Sequence, residues 1–143
     1  MIGFIDCEFN GGHGELISMA IVSEDGQRVF YEVVEHKQPT VDWVEENVIP
    51  ILNKLPVSSS VFKERLKKFL DAFPKLTLIA DHAADLFYFT QQIVGAEGWM
   101  MVEYQLDLRV DPSISAKKST ILHNALEDAK ALRLSWLQQN GFI

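Results

Sequence analysis

Cysteine is nearly absent, with Cys7 the one example in 143 residues. A lone thiol excludes an intramolecular disulfide framework and a cysteine-rich zinc site, and it fits a reducing compartment. No stretch approaches the ~18 to 20 consecutive apolar residues of a membrane span, and the opening MIGFIDCEF carries no basic n-region of a signal peptide. The expectation is a soluble, cytoplasmic protein with no membrane partner. Glycine and proline are also few, at 8 and 5, which excludes fibrous and disordered composition. Basic residues are the next scarcity: 13 Lys and Arg face 20 Asp and Glu, for a net charge of −7. That balance argues against a broad basic surface for nucleic acid, unless several carboxylates serve as metal ligands. A hydrophobic fraction of 48% over 143 residues suits one core, so a single domain over 1–143 is expected.

What is present follows an α/β rhythm. Met1 to Phe9 reads as a strand apolar on both faces, with Ile2 and Phe4 on one and Ile5 and Cys7 on the other, as in a central strand covered by helices. Two β-rich runs, Glu15 to Val22 and Arg28 to Val34, flank an Asp-Gly turn, which supplies the positive φ of a tight hairpin. Val41 to Leu52 is helical in pattern, with Pro50 as a kink or stop. Ser58 to Ser60 offer caps for a second helix, whose stripe is Phe62, Leu66, Phe69, Leu70 and Phe73, ended by Pro74. A buried parallel strand, Leu76 to Ala80, precedes a helix over Asp81 to Val94 and a break at Gly95 to Gly98. Tyr104, Leu106, Leu108 and Val110 alternate as a strand, Asp111 to Thr120 is a polar loop, and Leu122 to Gln139 is a last helix. Its apolar face holds Leu122, Ala125, Leu126, Ala129 and Trp136. Three meandering antiparallel strands followed by crossover helices and parallel strands make a mixed α/β sheet flanked by helices.

The chemistry lies in the acids. Asp6 and Glu8 are two apart on a strand, so the pleat puts both on one face. Two unit charges ~4 Å apart repel by about 1 kcal/mol in water and about 4 kcal/mol at an effective dielectric near 20, so burying them calls for a cation; the alternative is a frayed, solvated strand end. Asp85 follows a buried strand, where open α/β sheets place their ligands. Asp81 competes with it, though Asp81 also suits the cap of the helix. Asp128 lies on the final helix, and His123 precedes it by five residues, at or just before the first turn. Four such carboxylates balance two divalent cations, the requirement of a two-metal phosphodiester site. Neutralising them would bring the formal charge from −7 to about −3, so acidity no longer counts against a phosphate substrate.

The order D-x-E, a mid-chain Asp after a buried strand, then H-x-x-x-x-D resembles the DEDDh superfamily of 3′-to-5′ exonucleases, here at Asp6, Glu8, Asp85, His123 and Asp128. The nearer likeness is to the compact bacterial exoribonucleases of the ribonuclease AS type. It is carried by F-I-D-C-E-F, G-E-L-I-S-M-A-I-V-S-E-D-G, W-V-E-E-N-V-I-P and H-N-A-L-E-D-A, which span most of the chain. Many superfamily members have Asn four residues before the second Asp and Phe directly before it; this chain has Asp81 and Ala84 there.

The resemblance implies a ribonuclease H-like fold, with Asp6, Glu8, Asp85 and Asp128 holding two Mg²⁺ or Mn²⁺ ions, hard cations suited to oxygen ligands. It implies His123 as the general base, ahead of His13, His36 and His82. The implied substrate is the 3′ end of single-stranded RNA, cut to 5′-mononucleotides, and relatives of this type imply a homodimer. DNA with the same chemistry, or a catalytically silent RNA- or protein-binding module, are the competing readings. Phe9, next to Glu8, is a candidate for stacking on the terminal base as well as for core packing. Lys117 and Lys118 are candidates for phosphate contacts, and Cys7, a small buried hydrophobe, completes the residues flanking the substrate. Trp43, Trp99 and Trp136 are assigned to packing or a dimer interface rather than to base stacking.

Overall fold

The computed structural model of the protein describes residues 1–95, 97–98, 102 and 105–143. The alternation read in the first residues produces β1 (Ile2–Phe9), which is buried on both faces because helices lie on both sides of it. It pairs antiparallel with β2 (Leu16–Ser23), whose residues are all buried, and β2 pairs antiparallel with β3 (Val29–Val33). The β2–β3 turn closes through Ser23 and Arg28, and Gly26 supplies the positive φ of 74° that its Asp-Gly pair foretells. On its other side β1 runs parallel to β4 (Lys75–Ala80), which runs parallel to β5 (Gln105–Val110). The sheet order is β3-β2-β1-β4-β5 with β2 alone reversed, the ribonuclease H-like arrangement.

Between β3 and β4 come α1 (Asp42–Asn47), a 3₁₀ turn (Ile49–Ile51) and α2 (Ser59–Asp71). The Ser58 hydroxyl caps α2 by accepting from the Val61 N–H at 3.3 Å. Phe62, Leu66 and Leu70 then fall on one face and are fully buried against Ile5, Ile21 and Leu78, each contributing about 1.5–3 kcal/mol. Helix α3 (Ala83–Gln92) covers the same face of the sheet, while α4 (Ala125–Gln139) covers the other. Ala125 and Ala129 of α4 meet Ala20 and Val22 of β2, and these small side chains let the helix lie close to the sheet.

Several boundaries differ from the sequence expectation. The helix expected over Val41 to Leu52 is a six-residue α1 followed by the 3₁₀ turn, because Pro50, lacking an N–H, sits in the first turn of a new short element instead of inside a continuous one. Helix α2 ends at Asp71 rather than at Pro74, since the residue before a proline disfavours the helical region. Helix α3 starts at Ala83 and ends at Gln92, inside its expected span. Leu122 precedes α4 and is half-exposed rather than part of its buried stripe. The alternation of β5 does not mark a buried face either: Leu108 and Val110 are exposed, because β5 is an edge strand. Tyr104, Trp99 and part of the Gly95–Gly98 break lie outside the described residues. Among the described residues, no helix is long and apolar enough to cross a membrane.

Candidate metal centre

The site forms where the sheet comes apart. Strand β1 pairs with β4 only over Ile2 to Phe4, so its carboxyl half runs on without that neighbour. The Cys7 N–H, facing the gap, donates instead to Asp85 Oδ1 at 2.9 Å, a side chain standing in for a missing strand. Asp85 occupies the first turn of α3, where the helix dipole favours an anion. Asp6 and Glu8 share the face of β1 opposite Ile5 and Cys7, as the pleat requires.

Two triads of potential ligands result. Asp6, Asp81 and Asp85 bring one oxygen each within 4.8 Å of one another, and Glu8, His123 and Asp128 do the same with their ligand atoms. Asp81 therefore does not cap α3: the N-cap is His82, whose side chain makes no capping bond, and Asp81 joins the carboxylates. Sequence reasoning posed Asp81 and Asp85 as rivals, whereas the turn after β4 delivers both.

The second triad rests on the start of α4. Asn124 caps the helix by accepting from the Glu127 N–H at 3.1 Å. His123, just before it, has a φ of 72°, a left-handed conformation that costs a residue bearing a Cβ roughly 1–2 kcal/mol. Its N–H donates to Asp128 Oδ2 at 3.0 Å, which ties the strained backbone to the carboxylate.

The electrostatics are those of a cage without counter-charge. None of the ion pairs among the described residues reaches Asp6, Glu8, Asp81, Asp85 or Asp128. Burial, then the charges of Asp85 and Glu8, holds Asp6 well above the usual carboxylate range. Burial and then Asp128 and Asp85 push Glu8 up to about 8. Asp85 rises to about 7, burial outweighing the bond from Cys7, and burial also raises Asp81 and Asp128. Asp6 Oδ2 and Asp128 Oδ1, one in each triad, are enclosed without a hydrogen-bond partner of standard geometry, although the Ser119 hydroxyl lies beside Asp128 and offsets part of the rise that burial causes. Orphaned carboxylate oxygens suit Mg²⁺ or Mn²⁺, and one in each triad would serve two ions.

The remaining candidates distribute around this cage. Phe9 stacks on Tyr88 with centroids 4.7 Å apart and also lines an open cleft of about 460 Å³ with His13, His82 and the half-exposed Phe87. It thus serves packing and remains accessible beside Glu8. The Cys7 thiol is enclosed in the core on the far face of β1, so Cys7 reaches the site through its backbone rather than through a substrate contact. Lys117 and Lys118 border a cleft with Ser135 and Gln138 and make no ion pair with the carboxylates among the described residues. His36 is exposed and bonds to the Gln38 carbonyl.

Three residues that sequence reasoning did not assign to the site shape its rim. Trp43 of α1 is 52% exposed, and its ring lies 4.8 Å from that of His123 in an edge-to-face contact, so it is no core residue. Buried Asn10 anchors the approach to α1, donating to the Pro39 carbonyl and accepting from the Val41 N–H, both at 2.9 Å. Asn124 anchors the far end through the Ile51 carbonyl at 2.8 Å. The E-F-N and H-N pairs carried a weak signal, polar amides beside acid or imidazole at strand and helix ends; Trp43 carried none. No protein-family model and no curated protein matches this sequence.

Proposed function

We propose that the protein is a metal-dependent 3′-to-5′ exonuclease acting on single-stranded RNA and releasing 5′-mononucleotides. The observation that carries this reading is the pair of enclosed, partnerless oxygens, Asp6 Oδ2 and Asp128 Oδ1, within two triads drawn from distant parts of the chain. The DEDDh-like order of Asp6, Glu8, Asp85, His123 and Asp128 supports it from the sequence.

Asp6, Glu8, Asp85 and Asp128 would hold two Mg²⁺ or Mn²⁺ ions, with Asp81 beside them. Bound there, the ions would offset the charge of the scissile phosphate and of its attacking and leaving oxygens. His123 accepts a proton at an imidazole nitrogen as water adds to phosphorus and the bond to the 3′ oxygen of the preceding nucleotide breaks. A ring nitrogen of His123 lies within 4.8 Å of a carboxylate oxygen of Glu8 and of Asp128. Phe9 and Phe87 offer apolar faces to a base in the cleft that they line with His13 and His82.

The test is a time course on end-labelled single-stranded RNA and matched DNA, in Mn²⁺ or Mg²⁺ and in chelator. Metal-dependent shortening from the 3′ end, faster on RNA, is expected. Faster shortening of DNA would transfer the activity to the deoxy substrate, and tight RNA binding without shortening would make the protein a binding module.

A further inference from the structure

A cleft of about 620 Å³ lies away from the carboxylates and straddles edge strand β3. Arg28, Lys54, Arg65 and Lys68 converge on it, four of the 13 basic residues in a chain whose net charge is −7. Aromatic faces lie between the cations. Arg28 sits 5.5 Å from the centroid of Phe73, and Lys54 sits 5.8 Å from that of Tyr31.

Two of the cations are fixed in place. Lys54 Nζ and Arg65 Nη1 both reach Glu32 Oε1, at 3.2 and 3.1 Å, and Lys54 also donates to the Tyr31 carbonyl at 2.6 Å. One carboxylate thus orders two cations and neutralises only one, while Arg28 and Lys68 are exposed and make no ion pair among the described residues. Fixed cations cost less to order when a polyanion arrives.

One residue of the cleft shares a sheet face with the metal centre. Register pairs Asp6 with Ala20 and Ala20 with Tyr31, which puts Tyr31 on the Asp6 face two strands away, a distance of roughly 10 Å. The Tyr31 hydroxyl accepts from Asn124 Nδ2 at 3.4 Å, and Asn124 follows His123. The same hydroxyl donates to the Leu52 carbonyl at 2.6 Å, so Tyr31 ties one wall of the basic cleft to the cap of α4.

We propose that this cleft is the track for the body of a single-stranded RNA, holding backbone phosphates and bases upstream of the 3′ end. The proposal rests on the exonuclease reading for the direction of the strand. Basic side chains interleaved with aromatic rings are the means by which single strands are bound without regard to sequence. The track makes affinity depend on RNA length and leaves the chemistry at the far end independent of it.

The experiment compares wild-type protein with the double variant R28Q/K68Q, two exposed positions, and with the single variant K68E. Anisotropy of a 5′-labelled twelve-nucleotide RNA in chelator gives affinity against salt, and turnover of a dinucleotide in Mn²⁺ gives the chemistry alone. The double variant should bind the twelve-nucleotide RNA about tenfold more weakly, with a salt slope shallower by about 1.4. Its dinucleotide turnover should match wild type. Unchanged affinity for the longer RNA in both variants overturns the track. So does a loss of self-association in sedimentation with RNA affinity retained, which would make the cleft an interface between copies of the chain. If wild-type protein binds the long RNA through the cleft yet degrades neither substrate, the exonuclease reading fails and the track stands.

Discussion

The indole of Trp43 meets the imidazole of His123 edge to face, at a centroid distance of 4.8 Å and an interplanar angle of 79°. One ring comes from the short helix α1 and the other from the residue before the cap of α4. Both supports are fixed by Asn10 and Asn124, so the contact joins two anchored elements.

On the exonuclease proposal, in which His123 is the general base, Trp43 is accordingly a positioning residue for it. Such aromatic pairs are worth about 0.5–1.5 kcal/mol, so Trp43→Ala should lower kcat by roughly two- to tenfold. Trp43→Phe should recover most of that loss. Equal rates for wild type and the Ala variant would show that the imidazole is held without it.

His123→Ala should reduce turnover by about 10² to 10⁴, the share of a general base, with metal affinity nearly unchanged in calorimetry. An unaltered pH-rate profile would remove His123 from that role. The backbone gives a separate check: at a φ of 72°, His123→Gly should be more stable than His123→Ala by about 1 kcal/mol in denaturant unfolding.

Asp128→Asn should abolish turnover and keep the fold, since an amide oxygen can still accept from the His123 N–H. It also removes a buried charge whose Oδ1 has no partner. The metal-free variant should therefore melt above metal-free wild type and gain less from added Mn²⁺, as read by calorimetry across a metal titration.

The raised carboxylates set a pH dependence of stability. In the folded protein Glu8 is pushed up to about 8 and Asp85 to about 7, by burial first and neighbouring acids second; in an unfolded chain both titrate near 4. Between those values the folded state binds more protons than the unfolded one, so metal-free stability falls as pH rises. The contribution is complete below about pH 4 and gone once pH passes the folded values. Metal binding requires the ionised forms, so the Tm gain from Mg²⁺ or Mn²⁺ should be larger at pH 8 than at pH 5. A Tm of the metal-free protein that rises across this window would refute the cage as described.

Features governed by local periodicity were legible in the sequence. The two-faced β1, the Asp-Gly turn and, of the expected α2 stripe, Phe62, Leu66 and Leu70 depend on neighbours within a few residues and are found as expected, whereas Phe69 is only partly buried and Phe73 lies past the helix end. The proximity of Asp6, Glu8, Asp85, His123 and Asp128 was legible through their resemblance to a known order and their position at strand ends. Asp81 was misassigned because an Asp before a helix has two uses, and only the path of the turn after β4 chooses between them. Trp43 was unreadable for a different reason: its contact is made across 80 residues of chain by two amide anchors. The exposure of β5 likewise depends on its place at the edge of the sheet, not on its alternation.

Asp85 and Asp128 each commit one oxygen to a backbone N–H, from Cys7 and from His123. Each is at once a ligand candidate and a strut, and the two duties are separable by a single atom change. Asparagine at either position forfeits the charge and keeps the strut, whereas alanine forfeits both and leaves a gap in the sheet or a loose helix start. On the exonuclease proposal, a descendant that gave up chemistry would have its easiest route through Asn at positions 85 and 128. Such a pair of amides, in an otherwise intact chain, would be the fossil of the proposed activity.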